Sequence, residues 1–174
     1  MKRMILPLLV GILFLTVQTT LFALSPIQRV RPDIVLILTL YLALYYPPVS
    51  GGILAFLMAF LTDLFSGNSF GLYTLSRTFL FYVAQFLKDR VYMEDFLSKF
   101  FFVFIFALVE GLLILLLLKA LNPGFLSRLF FLFFTFLIPQ SFFTGLVTPI
   151  LFYLFDKGSS WLPNQHGMGI GERA

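Results

Sequence analysis

Cysteine is missing altogether from the 174 residues, which excludes disulfides, thiolate metal sites and thiol catalysis. Histidine occurs once, as His166, in a glycine-rich tail with no partner nearby in sequence. Zinc sites need three or four converging ligands, so neither a metal centre nor histidine catalysis is expected. Charge is scarce as well. Only 11% of residues are Asp, Glu, Lys or Arg, where a soluble domain carries about 25%, so lipid must cover the rest of the surface. Long polar stretches are also missing: the longest link, KDRVYMEDFLSK at 88–99, is too short to hold a core. The net charge of +4 is small and dispersed. It gives no sign of a nucleic-acid binder and fits basic residues held near anionic headgroups.

What remains is apolar: 60% hydrophobic residues and a mean hydropathy of +0.99. The 25 phenylalanines fit a lipid-facing exterior and bulky packing between helices, not a cofactor box. Six apolar runs follow one another, at 4–24, 34–46, 51–65, 70–87, 100–118 and 129–155. Nothing alternates like barrel strands, so these are read as helices. The first begins MKRM and resembles a signal peptide, but Pro26 follows the small-residue pattern of Ala23 and Ser25 and hinders cleavage; an uncleaved helix is expected. The second and third runs are short and meet at YYPPVSGG, reading as two short spans in preference to one re-entrant hairpin. Residues 1–158 form a single membrane domain, and 159–174 a polar tail expected to be disordered, with Trp161 at the headgroup boundary. Lys2, Arg3, Lys88, Arg90, Lys99, Lys157 and Arg173 fall on one side of a six-span layout, and Arg29, Arg31, Lys119 and Arg128 on the other. The positive-inside rule then puts both termini in the cytoplasm.

Three ionisable groups interrupt the apolar runs: Asp63, Arg77 and Glu110. A charge near the bilayer centre costs at least ~2.5–3.5 kcal/mol, so such groups face the bundle interior and pair. In TDLFSGNSFG at 62–71, Asp63 stands a turn before the loop and Arg77 two turns after it. They are expected to pair across a helical hairpin, with Glu110 as competitor or third member. An internal pair fixing helix register is favoured over a proton relay or ion site, because no second acid flanks Glu110. Gly51, Ala55 and Ala59 form a small-residue ridge for close packing, either on an internal neighbour or on a partner helix. Ser66, Gly67 and Gly71 make the turn, and the two glycines are expected to supply positive φ or tight passage. Ser141 and Gly145 repeat the small-residue pattern in the last run, where Pro139 and Pro149 interrupt the helix. Gln140, Thr144 and Thr148 share their face and are placed to satisfy the carbonyls that the prolines free. No nucleophile–base pair, Walker loop, HExxH or dinucleotide fingerprint is present, and Gly167, Gly169 and Gly171 are a spacer. Neither an enzyme nor a cofactor is expected.

The run RPDIVLILTLYLAL followed by GGILAFLMAFLTDLFSGNSFGLYTLSRTFLFYVAQFL resembles the rod shape-determining protein MreD family. That family has an Arg-Pro lead-in to the second helix, a glycine-led third helix and an Asp-Leu-x-Ser-Gly-x-x-x-Gly turn. The matching residues are Arg31, Pro32, Asp63, Leu64, Ser66, Gly67 and Gly71. TPILFYLFDK resembles the family's late proline and basic end at Pro149 and Lys157. The resemblance implies an all-α bundle of about six transmembrane helices in the bacterial inner membrane, similar in fold to the substrate-binding subunits of vitamin (ECF-type) transporters. It further implies a non-enzymatic part of the machinery that elongates the lateral cell wall. Its partners would be MreC, the MreB filament and the elongation transpeptidase and glycosyltransferase pair. A small-molecule-binding subunit of a vitamin-type transporter is the alternative; it needs a polar-lined pocket open to one side.

Overall fold

The computed structural model describes residues 11–13, 16, 32–66, 71–91, 95–121, 131 and 133–160. Five α-helices are described: α1 (Ile34–Tyr45), α2 (Pro48–Ser66), α3 (Leu72–Leu87), α4 (Phe96–Leu121) and α5 (Ile138–Ser160). A 3-10 turn at Lys88–Arg90 follows α3, and a π-helical turn at Phe133–Leu137 leads into α5. No strand occurs among the described residues. Of the expected first span, 11–13 and 16 are helical. Gly11 packs there on α1 and α2: an added Cβ would meet Leu38 Cδ2 at 2.9 Å and run into Met58 Sδ. The remainder of that span, the loop 67–70 and the tail from 161 lie outside the described residues.

Polarity is inverted relative to a water-soluble protein. Asp63, Ser76, Arg77, Glu110, Ser141 and Thr148 are buried, while Phe60, Leu64, Phe79, Phe86, Ile105 and Ile150 are exposed. Three of the described helices are long and apolar enough to cross a membrane: Pro48–Ser66, Phe96–Ala120 and Phe133–Lys157. The described elements are all helical, and their apolar helices are those of a membrane protein.

The helix ends follow from local chemistry. Pro48 suits the first helical position, where its fixed φ is preorganised and its missing N–H is not needed. That is why α2 starts three residues before the sequence pattern suggests and reaches 19 residues. The 12-residue α1 is apolar on every face, and Val35 through Ala43 are buried. A helix hydrophobic all round belongs in the middle, and α1 touches each of the other four. At about 1.5 Å per residue it spans only ~18 Å, so its ends lie within the bundle and need protein partners. At the start, the Asp33 amide donates to Thr144 Oγ1 at 3.1 Å, and its carboxylate accepts from the Leu36 amide at 3.0 Å. At the other end the Tyr46 amide donates to the Leu42 carbonyl at 2.9 Å, and Gln85 Nε2 donates to the Tyr46 carbonyl at 3.3 Å.

The small-residue ridge is spent internally. Gly51, Ala55 and Ala59 are all buried, and a Cβ on Gly51 would stand 2.9 Å from Phe81 Cζ of α3. The ridge is covered within the protein, at Gly51 by α3, and is not a face left open for a partner helix.

Candidate functional site

Arg77 is the centre of the buried polar cluster. It is completely buried, and its guanidinium reaches three other elements. Nε donates to Glu110 Oε1 of α4 at 2.7 Å, and one terminal nitrogen donates to Thr62 Oγ1 of α2 at 3.1 Å. The other terminal nitrogen pairs with Asp33 Oδ2 at the cap of α1. The Tyr73 ring covers the cation, 4.9 Å from its centre. Through the bond from the Asp33 amide to Thr144 the cluster also engages α5. Arg77 thus ties four of the described helices together, and the Asp33 amide adds the fifth.

The pair expected between Asp63 and Arg77 is not formed. Among the described residues, the ion pairs of Arg77 are to Asp33 and Glu110. Asp63 instead turns to the start of α3. Its Oδ1 accepts from the Tyr73 amide at 2.9 Å and its Oδ2 from the Thr74 amide at 2.8 Å, with a further bond from Thr74 Oγ1. The reason is local. Gly71, at φ +93°, precedes α3 and has no side chain to cap it, so the orphan amides of the first turn are satisfied from α2. A carboxylate at a helix N-terminus is also favoured by the helix dipole. Gly71 supplies the positive φ expected of the turn. Ser66 is the exposed last residue of α2, and Gly67 lies outside the described residues.

Of the lead-in to α1, Pro32 is partly buried just before the helix, and Arg31 lies outside the described residues. Asp33, the residue after Pro32, was missed by counting only charges inside apolar runs. Its signal was available: an acid at the N-cap position directly before an apolar run.

Pro149 sits inside α5 and Pro139 in its first turn. The threonines beside them do not take up the freed carbonyls. Thr144 Oγ1 donates to the Gln140 carbonyl and Thr148 Oγ1 to the Thr144 carbonyl, each at 2.8 Å, whereas Pro149 frees the carbonyl of Gly145. A hydroxyl in a helix reaches back four residues along its own strip of backbone. Gly145 accommodates α4, since a Cβ there would lie 3.1 Å from the Phe100 ring. Gly111, next to Glu110, does the same for Leu137: its position is filled by the Leu137 side chain, whose Cγ lies 2.7 Å from where a Cβ would be.

A cavity of about 200 Å³ opens beside the cluster. Asp33, Tyr73, Glu110, Gln140, Ser141 and Thr144 form its polar wall, with Leu36, Phe136 and Leu137 among its apolar lining. No group of three or more His, Cys, Asp or Glu side chains suited to a metal is present among the described residues.

A family model described as rod shape-determining protein MreD matches residues 2–160. No curated protein and no solved structure gives a match.

Proposed function

The chain belongs to the rod shape-determining protein MreD family, and from this premise we propose that it is a non-enzymatic scaffold of the bacterial cell-elongation machinery. It holds MreC, and with it MreB and the transpeptidase and glycosyltransferase pair, from within the cytoplasmic membrane, with both termini in the cytoplasm. The observation that supports this reading best is where the intramembrane charges go. Arg77, Asp33, Glu110 and Asp63 are spent on fastening helices to one another, which makes a rigid body with an apolar exterior. Such a body offers helix faces and short loops to its partners. Nothing in the comparisons favours the small-molecule-binding subunit of a vitamin-type transporter, nor the likeness of fold to one.

The test is complementation. In a rod-shaped bacterium lacking its own MreD, the chain is expected to restore rod shape and to co-purify with MreC. Round cells and no retained MreC, from a chain that is folded in the membrane, would overturn the scaffold reading.

A further inference from the structure

The cavity beside Arg77 has more polar capacity than the ionic cluster uses. Thr144 is fully engaged, accepting from the Asp33 amide and donating to the Gln140 carbonyl. Asp33 is engaged with the Leu36 amide and Arg77. Ser141 is different. It is 1% exposed and lines the cavity, yet its hydroxyl has no hydrogen-bond partner among the described residues. The carbonyl four residues back, which Thr144 and Thr148 use in their own cases, belongs here to Leu137 in the π-helical turn. Glu110 gives Oε1 to Arg77, while its Oε2 and the Gln140 side-chain amide have no partner among the described residues. Buried polar groups are normally satisfied. Glu110 and Ser141, both buried, and the partly buried Gln140 thus bring unused oxygen acceptors to one cavity wall, where a ligand could use them.

Charge decides its kind. The cluster holds one cation, Arg77, against two carboxylates, Asp33 and Glu110. The α1 N-terminus offsets part of the surplus at Asp33. Glu110, mid-way along α4 (Phe96–Leu121), is far from any helix end, and an uncompensated charge at this depth is costly. We propose that the cavity binds one monovalent metal cation, of the sodium or potassium type, through Glu110 Oε2, Ser141 Oγ and the Gln140 amide oxygen. A divalent ion would reverse the imbalance instead of cancelling it. A single water needs only about 10–15 Å³, so about 200 Å³ leaves room for the ion with part of its water shell. This site does not depend on the scaffold reading.

The experiment uses the full-length protein in detergent, with thermal unfolding in sodium, potassium and choline chloride at equal ionic strength, and saturable binding of radioactive sodium. Wild type is expected to melt higher in sodium or potassium than in choline and to bind the labelled ion or lose it to potassium. Glu110→Gln keeps an acceptor for Arg77 and balances the charge, so it should fold and lose the cation response. Ser141→Ala keeps the charge and removes one ligand, so its affinity should fall by roughly tenfold or more. If Glu110→Gln does not fold, Ser141→Ala carries the test. Equal melting in all three salts overturns the proposal, as does a cation response that survives both substitutions. Stability that follows pH alone, with no difference between cations, also overturns it, because a proton is then the balancing charge.

Discussion

Arg77 and Asp63 stand fourteen residues apart around one turn but belong to different bonding systems. Removing the arginine leaves two carboxylates, Asp33 and Glu110, without their cation. Breaking a buried pair typically costs ~3–5 kcal/mol, so Arg77→Gln should lower stability in detergent by about that much. Glu110→Gln should be milder, because Asp33 still pairs with Arg77, and the double substitution should recover part of the loss. Asp63→Ala removes a cap, worth about 0.5–2 kcal/mol. Its effect should add to that of Arg77→Gln within about 0.5 kcal/mol; a clear interaction energy between the two would mean that they are coupled after all. The sequence pointed to the polar residues but not to their pairing. Depth along a helix can be counted from residue numbers, whereas the direction a side chain leaves the helix depends on crossing angles. Asp33 escaped notice for another reason: it lies one residue outside the apolar run it caps.

Among the helices, packing is set by positions that carry no charge. Ala55 is fully buried on the small-residue ridge of α2, so Ala55→Leu must overpack its surroundings, at a cost of about 1–3 kcal/mol. Phe60→Ala, on the exposed side of the same helix, should change detergent stability by much less. Equal losses from the two would contradict the assignment of faces. Gly111 offers a sharper measurement. Gly111→Ala would place a methyl where the Leu137 side chain lies, so either that side chain must turn aside or α4 and the π-helical turn must shift. Leu137→Ala in the same chain removes the obstacle, and the double variant should be more stable than the sum of the single losses implies. Simple addition would show that the two helices do not meet there. The small-residue ridge of α2 was legible because spacing by four residues marks a face, whereas the start of that helix at Pro48 was not. The π-helical turn was not, since nothing in FFTFL at 133–137 distinguishes it from ordinary helix.

For the whole molecule, the short central helix explains why so few charges suffice. α1 cannot bridge a ~30 Å hydrocarbon layer, so each end has to be satisfied by protein: Arg77 and Thr144 at Asp33, and Gln85 at the Tyr46 carbonyl. The longer helices have apolar outer faces, and the start of α3 is likewise satisfied by protein, through Asp63. That architecture was only half legible. Composition and run lengths gave helices in lipid, but not which run lies in the middle. Lys88, Arg90 and Lys99 flank the link between α3 and α4, and Lys157 lies near the end of α5. Alternation of direction along the chain puts this link and the α5 terminus on one side, with the α2–α3 turn on the other. With the basic side in the cytoplasm, topology reporters fused at Glu94 and Gly169 should report the inside. Reporters at Asn68 and Asn122 should report the outside. An outside signal at Gly169 with an inside signal at Asn68 inverts the orientation and leaves the fold untouched. Like signals at Asn68 and Glu94 would mean that α3 does not cross, which the buried contacts of Arg77 with α1, α2 and α4 could not then support in a membrane.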